Sequence, residues 1–214
     1  MTVALEEGLR RGLHSLGLVL EDAQVRQLLD YQALIQKWNK VYNLTAVRDP
    51  AEMLTHHLLD SLAVVAPLRR QAASGTRLLD VGSGAGLPGV VIAICCPDLS
   101  VDCVDAVAKK AAFIQQVAAA LKLPNLRGLH QRVETLDGCY EFVSSRAFAS
   151  LPDFITGSRE VLAPEGIWLA MKGKLPEQEM AALPAGVEVF HVEQLQVPGL
   201  DADRCIVWLR RKPA

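Results

Sequence analysis

The stretch RLLDVGSGAGLPG, residues 77–89, decides the fold of this 214-residue chain. Its apolar first half predicts a strand over Arg77–Val81, and the glycines that follow predict a sharp turn into a helix that ends near Cys95. Glycines at such a turn also let the backbone pass close to a ligand. Read literally, Gly84–Gly89 matches the pattern G-x-G-x-x-G, so the dinucleotide site of a nicotinamide-linked reductase is one interpretation.

Two carboxylates accompany this glycine loop, which we define as residues 82–89. Asp80 stands just before the turn, and Asp105 ends the next predicted strand, Val101–Val104. A carboxylate at Asp80 repels a dinucleotide phosphate, whereas the sulfonium and amino groups of S-adenosylmethionine are cations. Asp105 can accept hydrogen bonds from the ribose of either cofactor, or it can cap the following helix. The pair of carboxylates therefore favours S-adenosylmethionine.

Outward from the loop, short apolar strands alternate with helices. The remaining strands and helices of this alternation are predicted at Leu126–His130, Glu141–Ser145, Ile167–Met171, Ala106–Lys122 and Phe154–Leu162. Such alternation predicts an α/β fold, a parallel sheet covered by helices.

The two ends of the chain depart from this pattern. Strands predicted at Val187–Val192 and Arg204–Leu209 are joined by a loop with no room for a crossover helix, so we expect them to pair antiparallel. The first third of the chain has only helical periodicity. We therefore divide the chain into an N-terminal helical extension, residues 1–73, and a sheet domain, residues 74–214, and expect the two to pack as one unit.

Local signals mark the helices of the extension. Apolar residues at three-to-four spacing predict helices over 5–16 and 25–38. Asp49 is expected to cap a third helix that begins at Pro50. Residues 67–76, with Pro, Gly and small side chains, are predicted to be a linker.

Composition excludes several classes of protein. Half of the residues are hydrophobic, which excludes a disordered chain. The net charge is −2, from 22 Lys and Arg against 24 Asp and Glu, so any contact with nucleic acid must come from local patches or a partner. Five cysteines without a C-x-x-C pair predict reduced thiols and no metal site. No apolar run is long enough for a membrane span and no signal peptide is recognisable, so we expect a cytoplasmic protein without a membrane partner.

Two further segments follow predicted strands and are candidates for the site. Val133 and Glu134 follow the third strand, where a backbone N–H and a carboxylate can read the polar edge of adenine, although a plain surface turn is an equal alternative. Arg146 ends the fourth strand and can orient a base, a phosphate or a cofactor carboxylate, or form an edge salt bridge. The sequence holds no Asn-Pro-Pro-Tyr, Asp-Pro-Pro-Tyr or Pro-Cys motif, which argues against methylation of an exocyclic amine or through a cysteine adduct.

The chain resembles one family over nearly its whole length, the bacterial 16S ribosomal RNA guanine-N7 methyltransferases of the RsmG (GidB) type. Beyond the glycine loop, the motifs that carry the resemblance are Trp38–Thr45 (WNKVYNLT), His57–Leu62 (HLLDSL), Ser145–Ser150 (SRAFAS), Met171–Gly173 (MKG) and Gln194–Gly199 (QLQVPG). The glycine loop is common to all class I methyltransferases, so the first two of these motifs are the most specific.

The resemblance implies a Rossmann-like class I methyltransferase sheet that binds S-adenosyl-L-methionine. The cofactor contacts that it implies are at Gly82, Leu87, Val133, Glu134 and Arg146, with Asp105 on the ribose. To these our own interpretation of the loop adds Asp80, Gly84 and Gly86. The family often has Ser after the second-strand carboxylate; here Ala106 and Val107 follow, so a hydroxyl contact at that point is not expected.

The implied reaction is methyl transfer to N7 of a specific guanine in 16S rRNA of the small ribosomal subunit, by direct in-line displacement. N7 already carries a lone pair, so we expect Arg146 to orient the reactants and expect no general base. N7 lies in the deep groove of A-form RNA, so the guanine must be unstacked or in a loop. The expected RNA contacts are Asn39, Lys40, Asn43, His56 and Lys172, on a monomeric protein.

Other interpretations of the same residues stay open at this point. His57 and Trp38 are expected to be core residues. The chain as a whole could be an RNA-binding assembly factor with a nucleotide pocket but no catalysis, or the reductase named above.

Overall fold

The computed structural model describes residues 2–146 and 150–213. The predicted first helices are present as α1 (Thr2–Ser15) and α2 (Asp22–Tyr42). Asp49 caps α3 (Pro50–Met53) as predicted, because its side chain accepts hydrogen bonds from the backbone N–H groups of the first turn. The chain then continues through a π-helical turn (Leu54–Leu59) into α4 (Asp60–Leu62).

The predicted linker at 67–76 is wrong in its first half. Helix α5 covers Val65–Gln71, with Pro67 and Leu68 buried. Proline is tolerated in the first turn of a helix because the N–H that it lacks has no acceptor within the helix there. Composition alone suggested a linker, whereas burial of this face stabilises a helix.

The predicted alternation of strands and helices is confirmed. The strands are β1 (Arg77–Val81), β2 (Ser100–Asp105), β3 (Leu126–His130), β4 (Tyr140–Arg146), β5 (Leu162–Lys172), β6 (Val187–Leu195) and β7 (Arg204–Arg211). The helices between them are α6 (Gly89–Cys95), α7 (Ala108–Ala120), α8 (Leu151–Ser158) and α9 (Glu177–Ala181).

One seven-stranded sheet runs in the order β3-β2-β1-β4-β5-β7-β6. The first five strands in this order are parallel, whereas β7 pairs antiparallel with both β5 and β6. The predicted α/β fold with an antiparallel C-terminal pair is therefore confirmed. Because β7 is antiparallel, its first residues lie at the same edge of the sheet as the last residues of β4 and β5.

The helix predicted to reach Leu162 is too long. Helix α8 ends at Ser158, and β5 already begins at Leu162. Leu162 pairs with Tyr140 and Ile167 pairs with Phe142, so four residues of β5 are accommodated opposite one residue of β4. Residues 163–166 therefore form an irregularity within the strand.

A continuous hydrophobic core joins the extension to the sheet. Leu9, Leu28 and Leu58 of the extension belong to the same buried cluster as Leu78 of β1 and Ile92 of α6. The helices of the extension thus lie directly behind the glycine loop. Within residues 2–146 and 150–213, no helix is long and apolar enough to cross a membrane.

Candidate functional site

The glycine loop follows β1 at the carboxyl edge of the sheet. Gly82 and Gly84 have positive φ values of 66° and 60°, a backbone conformation that residues with a side chain rarely adopt. The N–H of Gly82 bonds to the carbonyl of Val104 at 2.9 Å. The N–H of Gly84 donates to Asp105 Oδ2 at 3.0 Å. The end of β2 therefore fixes the shape of the loop.

Gly86 is required for packing and does not line the cavities of the site. A Cβ at this position would lie 2.4 Å from Val90 Cγ2 and 3.3 Å from Tyr31 Oη. The Tyr31 hydroxyl in turn donates to the carbonyl of Ala85 at 2.6 Å. The expected cofactor contact of Gly86 is thus not supported by its position, because the residue is buried against the extension.

Asp80 lies below the glycine loop with no exposed surface. Its carboxylate accepts hydrogen bonds from Ser144 Oγ at 2.9 Å and from the N–H of Gly89 at 3.1 Å. Burial raises the pKa of Asp80 to about 6, and the hydrogen bonds oppose that rise. Asp80 therefore ties the loop to β4, and it does not present its charge to a ligand as the sequence suggested.

A small cavity of about 140 Å³ lies between the ends of β1, β2 and β3. The predicted residues that it brings together are Gly82, Asp105, Val133 and Glu134. Asp105 also accepts from the N–H of Val107 at 2.9 Å. Helix α7 begins only at Ala108, so Asp105 stabilises the turn before the helix rather than capping the helix itself.

A larger cavity of about 500 Å³ lies on the other side of Gly82. The predicted residues in its wall are Gly82, Gly84, Leu87, His56, Arg146 and Lys172. The two cavities share Gly82 and adjoin at the carboxyl edge of the sheet; we call the two together the cleft. A ligand bound over the glycine loop can extend into both.

The larger cavity also holds two charged residues that the sequence patterns did not indicate, Asp60 and Arg204. Asp60 Oδ2 accepts from Arg146 Nη1 at 2.9 Å, and Asp60 Oδ1 accepts from Arg204 Nε at 2.8 Å. Arg146 Nη1 also donates to the carbonyl of His56 at 3.1 Å. The available signal was a single carboxylate inside the apolar helical segment 53–65, a position where a charge requires a partner.

His57 is a buried histidine, as predicted. Its Nε2 lies 2.7 Å from Thr45 Oγ1. Burial lowers the pKa of His57, and the positive charge of Arg146 lowers it further. The ring is therefore neutral at physiological pH and shapes the wall of the larger cavity. Trp38 is half-buried and packs edge-on against Phe113, with ring centroids 5.3 Å apart.

The residues predicted to contact RNA divide into two groups. Asn39 is buried: its Oδ1 accepts from the N–H of Thr45 at 3.0 Å. The expected direct contact of Asn39 with RNA is therefore contradicted, because the amide is used to hold the loop after α2. Lys40, Asn43 and His56 are exposed as an RNA contact requires.

Lys172 is partly covered at the mouth of the larger cavity. Its Nζ donates to Glu179 Oε2 at 2.8 Å, and the same Glu179 oxygen accepts from the N–H of Leu151. The positive charge of Lys172 is thus balanced in this conformation. Residues 147–149 of the motif SRAFAS lie outside the described residues.

No three His, Cys, Asp or Glu side chains among residues 2–146 and 150–213 are grouped so that they could hold a metal ion. Four of the five cysteines are buried, and all are free thiols.

The chain is similar to known proteins in sequence. The family model described as GidB, rRNA small subunit methyltransferase G, matches residues 24–207. A protein of Albidiferax ferrireducens named ribosomal RNA small subunit methyltransferase G is 68% identical over 97% of both chains. A protein of the same name from Acidovorax ebreus is 67% identical, over 97% of this chain and 96% of the relative.

Solved structures share the fold at low sequence identity. TrmN from Thermus thermophilus has a TM-score of 0.59 and 20% identity, over 74% of this chain and 53% of that one. A methyltransferase from Thiobacillus denitrificans, described as dependent on S-adenosylmethionine and solved with S-adenosyl-L-homocysteine, has a TM-score of 0.54 and 15% identity, over 72% of this chain and 91% of that one. At these identities the likeness shows the Rossmann-like methyltransferase fold alone.

Proposed function

Because this chain belongs to the GidB family, rRNA small subunit methyltransferase G, we propose that it transfers a methyl group from S-adenosylmethionine to N7 of a specific guanine in 16S rRNA. The observation that carries this proposal is the 68% identity to a relative of that name over 97% of both chains. The guanine N7 acceptor comes from the family resemblance of the sequence motifs, and it is the part that the experiment below must test.

The residues that line the cleft support S-adenosylmethionine as its ligand. In the small cavity, Asp105 can accept from ribose hydroxyls, while the N–H of Val133 and the carboxylate of Glu134 can read the edge of adenine. Gly82, Gly84 and Leu87 lead from there into the larger cavity, where the methionine part would lie. Asp80 is buried, so its charge no longer argues against a dinucleotide. Family membership, rather than Asp80, favours S-adenosylmethionine.

When bound, S-adenosylmethionine supplies a methyl group on a sulfonium sulfur, and N7 of guanine takes that methyl group by in-line displacement. N7 has no proton to lose, so the protein needs no general base. The chain contributes orientation: Arg146, held at two points by Asp60 and the carbonyl of His56, stands beside the reacting region. Positioning of this kind accounts for a large part of the rate in two-substrate reactions.

The walls of the larger cavity suit a purine. Leu44, Met171 and Leu195 supply apolar surface, and Arg146 and Arg204 supply hydrogen-bond donors. A cavity of about 500 Å³ accepts one base together with part of the cofactor. The guanine therefore enters as an unstacked base, which requires a loop or an opened segment of the RNA.

Binding to RNA must rely on local cations, because the net charge of the whole chain is −2. Lys40 is an exposed cation on the extension. His56, which is also exposed on the extension, lies next to the larger cavity. The substrate that we propose is 16S rRNA within the small ribosomal subunit, bound by a monomer in the cytoplasm. Protein of the subunit can complete the contact surface.

The test uses small ribosomal subunits, and separately naked 16S rRNA, from a strain that lacks this gene. Each is incubated with the protein and methyl-labelled S-adenosylmethionine, and the RNA is then cleaved chemically at N7-methylguanine. The proposal is supported if the wild-type protein labels a single guanine and the Arg146→Ala variant does not label it. Label at another atom contradicts the N7 assignment. No label despite cofactor binding contradicts the proposed substrate, and a protein that binds no cofactor contradicts the methyltransferase interpretation of the cleft.

A further inference from the structure

We propose that Asp60, a residue of the helical extension, is a positioning residue for methyl transfer that fixes Arg146 and Arg204 in the wall of the larger cavity. The inference rests on the proposed function. It adds a role for the extension, which then forms part of the reactive site as well as covering the sheet.

Asp60 binds two arginines at once, one with each oxygen of its carboxylate. Asp60 is 3% exposed, and each of its carboxylate oxygens accepts from a different arginine, at 2.9 Å and 2.8 Å. Arg146 lies 86 residues and Arg204 lies 144 residues further along the chain. A buried carboxylate of this kind is stable only with its partners in place. It is also the one side-chain acceptor that the described residues give to either guanidinium, so the position of each arginine depends on Asp60.

The sheet topology explains why two distant arginines meet here. Arg146 ends β4 and pairs with Met171 of β5, while Lys172 of β5 pairs with Cys205 of β7. Arg204, the first residue of β7, therefore lies at the same edge of the sheet as Arg146. Strands β4 and β7 are both neighbours of β5, so the two arginines lie two strand spacings apart, about 10 Å between backbones. Asp60, on the extension, bridges the two arginines with its carboxylate.

The electrostatics of the cluster require the carboxylate. Arg146 and Arg204 carry two positive charges against the single charge of Asp60. Arg204 Nη1 also donates to the carbonyl of Asp203, and neither guanidinium uses its Nη2 in a hydrogen bond with a described residue. Without Asp60 the two guanidinium groups would repel each other and leave their places in the cavity wall. With it, the remaining N–H donors are held toward the space where the reactants meet.

The decisive experiment is a double-mutant cycle of Asp60→Asn and Arg146→Gln. For each variant we would measure kcat and KM on small ribosomal subunits, and also the melting temperature. Calorimetry gives the affinity for S-adenosylhomocysteine, and the number of binding sites in the same titration gives the fraction of active protein. If Asp60 acts through the two arginines, Asp60→Asn lowers kcat about 100-fold, and the loss of kcat in the double variant is much smaller than the product of the two single losses. A role in stability alone lowers the melting temperature and leaves the kcat per active site unchanged.

Asp98→Asn is the matched control. Asp98 also joins the sheet domain to the extension, through Arg69 Nη1 at 2.8 Å, but it does not line the larger cavity. It should keep the kcat of the wild type. The inference is overturned if Asp60→Asn keeps kcat within about twofold of wild type, well short of the loss expected from misplaced groups, or if the two losses multiply in the double variant.

Two further outcomes keep the inference testable. If Asp60→Asn does not fold, Arg204→Gln releases Asp60 on one side only; a lower kcat supports the inference and a wild-type kcat overturns it. If the wild-type protein does not methylate small subunits, the proposed function fails, and the affinity for S-adenosylhomocysteine then decides. A loss of this affinity in Asp60→Asn that disappears in the Arg146→Gln background supports the positioning role of Asp60. Equal affinity in wild type and Asp60→Asn overturns that role.

Discussion

The hydroxyl of Tyr31, on α2 of the extension, donates a 2.6 Å hydrogen bond to the carbonyl of Ala85 in the glycine loop. Tyr31 is fully buried, and burial raises its pKa well above the ordinary value, so the hydroxyl stays protonated and remains a donor. The extension therefore holds the loop from behind, while Asp105 holds it from the side through the N–H of Gly84. The shape of the cofactor cleft depends on both.

Replacing Tyr31 by Phe should weaken cofactor binding without removing it. The change leaves the ring packing against Phe113 but leaves the buried carbonyl of Ala85 without its donor, which costs about 1–3 kcal/mol. We expect a lower free energy of unfolding in urea and an affinity for S-adenosylhomocysteine reduced by up to about tenfold. Tyr42→Phe, at an exposed tyrosine on the same helix, is the control. Equal affinities for wild type and Tyr31→Phe would show that the loop keeps its shape without this bond.

The sequence was sufficient to predict the parts of the fold that depend on local patterns. The strand before Gly82, the alternation of strands and helices, and the antiparallel end all follow from periodicity and glycine placement within short windows. Helix α5 was missed because its composition resembles a linker, and only the burial of Pro67 and Leu68 distinguishes it.

The candidate site was predicted less completely, and the reason is separation along the chain. Asp60 meets Arg146 and Arg204 across 86 and 144 residues, and no spacing rule connects positions that far apart. Asn39 was expected to contact RNA together with Lys40 and Asn43, whereas the fold turns its amide inward to Thr45. Both differences come from tertiary packing, which a local pattern does not encode.

Replacing Asp105 by Ala should weaken the binding of S-adenosylmethionine and leave the fold intact. The variant loses the expected acceptor for the ribose hydroxyls and also the acceptor for the N–H groups of Gly84 and Val107. Asp105→Asn separates these effects, because its amide oxygen can still accept a hydrogen bond from one of the two backbone N–H groups. Calorimetry with S-adenosylmethionine measures the affinity, and Asp137→Ala, at an exposed position before β4, is the control. An unchanged affinity in Asp105→Ala would remove the ribose assignment.

The stability of the protein should fall as the pH rises from about 4 to 6, through Asp80. Its folded pKa of about 6 lies above the ordinary value of 3.8. The folded state therefore binds the proton more tightly than the unfolded state. The stabilisation from protonated Asp80 is fully present below pH 3.8 and is lost as the pH rises through about 6. The change is on the order of 3 kcal/mol.

Asp80→Asn tests this pH dependence, because an amide mimics the protonated acid and does not titrate. Unfolding in urea at several pH values between 4 and 7 gives the free energy of unfolding for both proteins. Other groups titrate in both, so the quantity to follow is the difference between wild type and variant. We expect wild type to lose stability relative to Asp80→Asn across this range, and a constant difference would contradict the raised pKa of Asp80.

Replacing Lys40 by Ala should weaken RNA binding and leave cofactor binding unchanged. Lys40 is exposed near the end of α2, next to Asn39, whose buried amide shapes the loop that begins at Asn43. If Lys40 contacts a phosphate, its removal raises KM for the small subunit at unchanged kcat, and the slope of log affinity against log salt becomes shallower by about 1. Lys212→Ala is the control, because Lys212 follows β7 at the opposite edge of the sheet from the cleft. A KM and a salt slope equal to those of wild type would mean that RNA does not reach this end of α2, and that recognition is confined to the mouth of the larger cavity around His56.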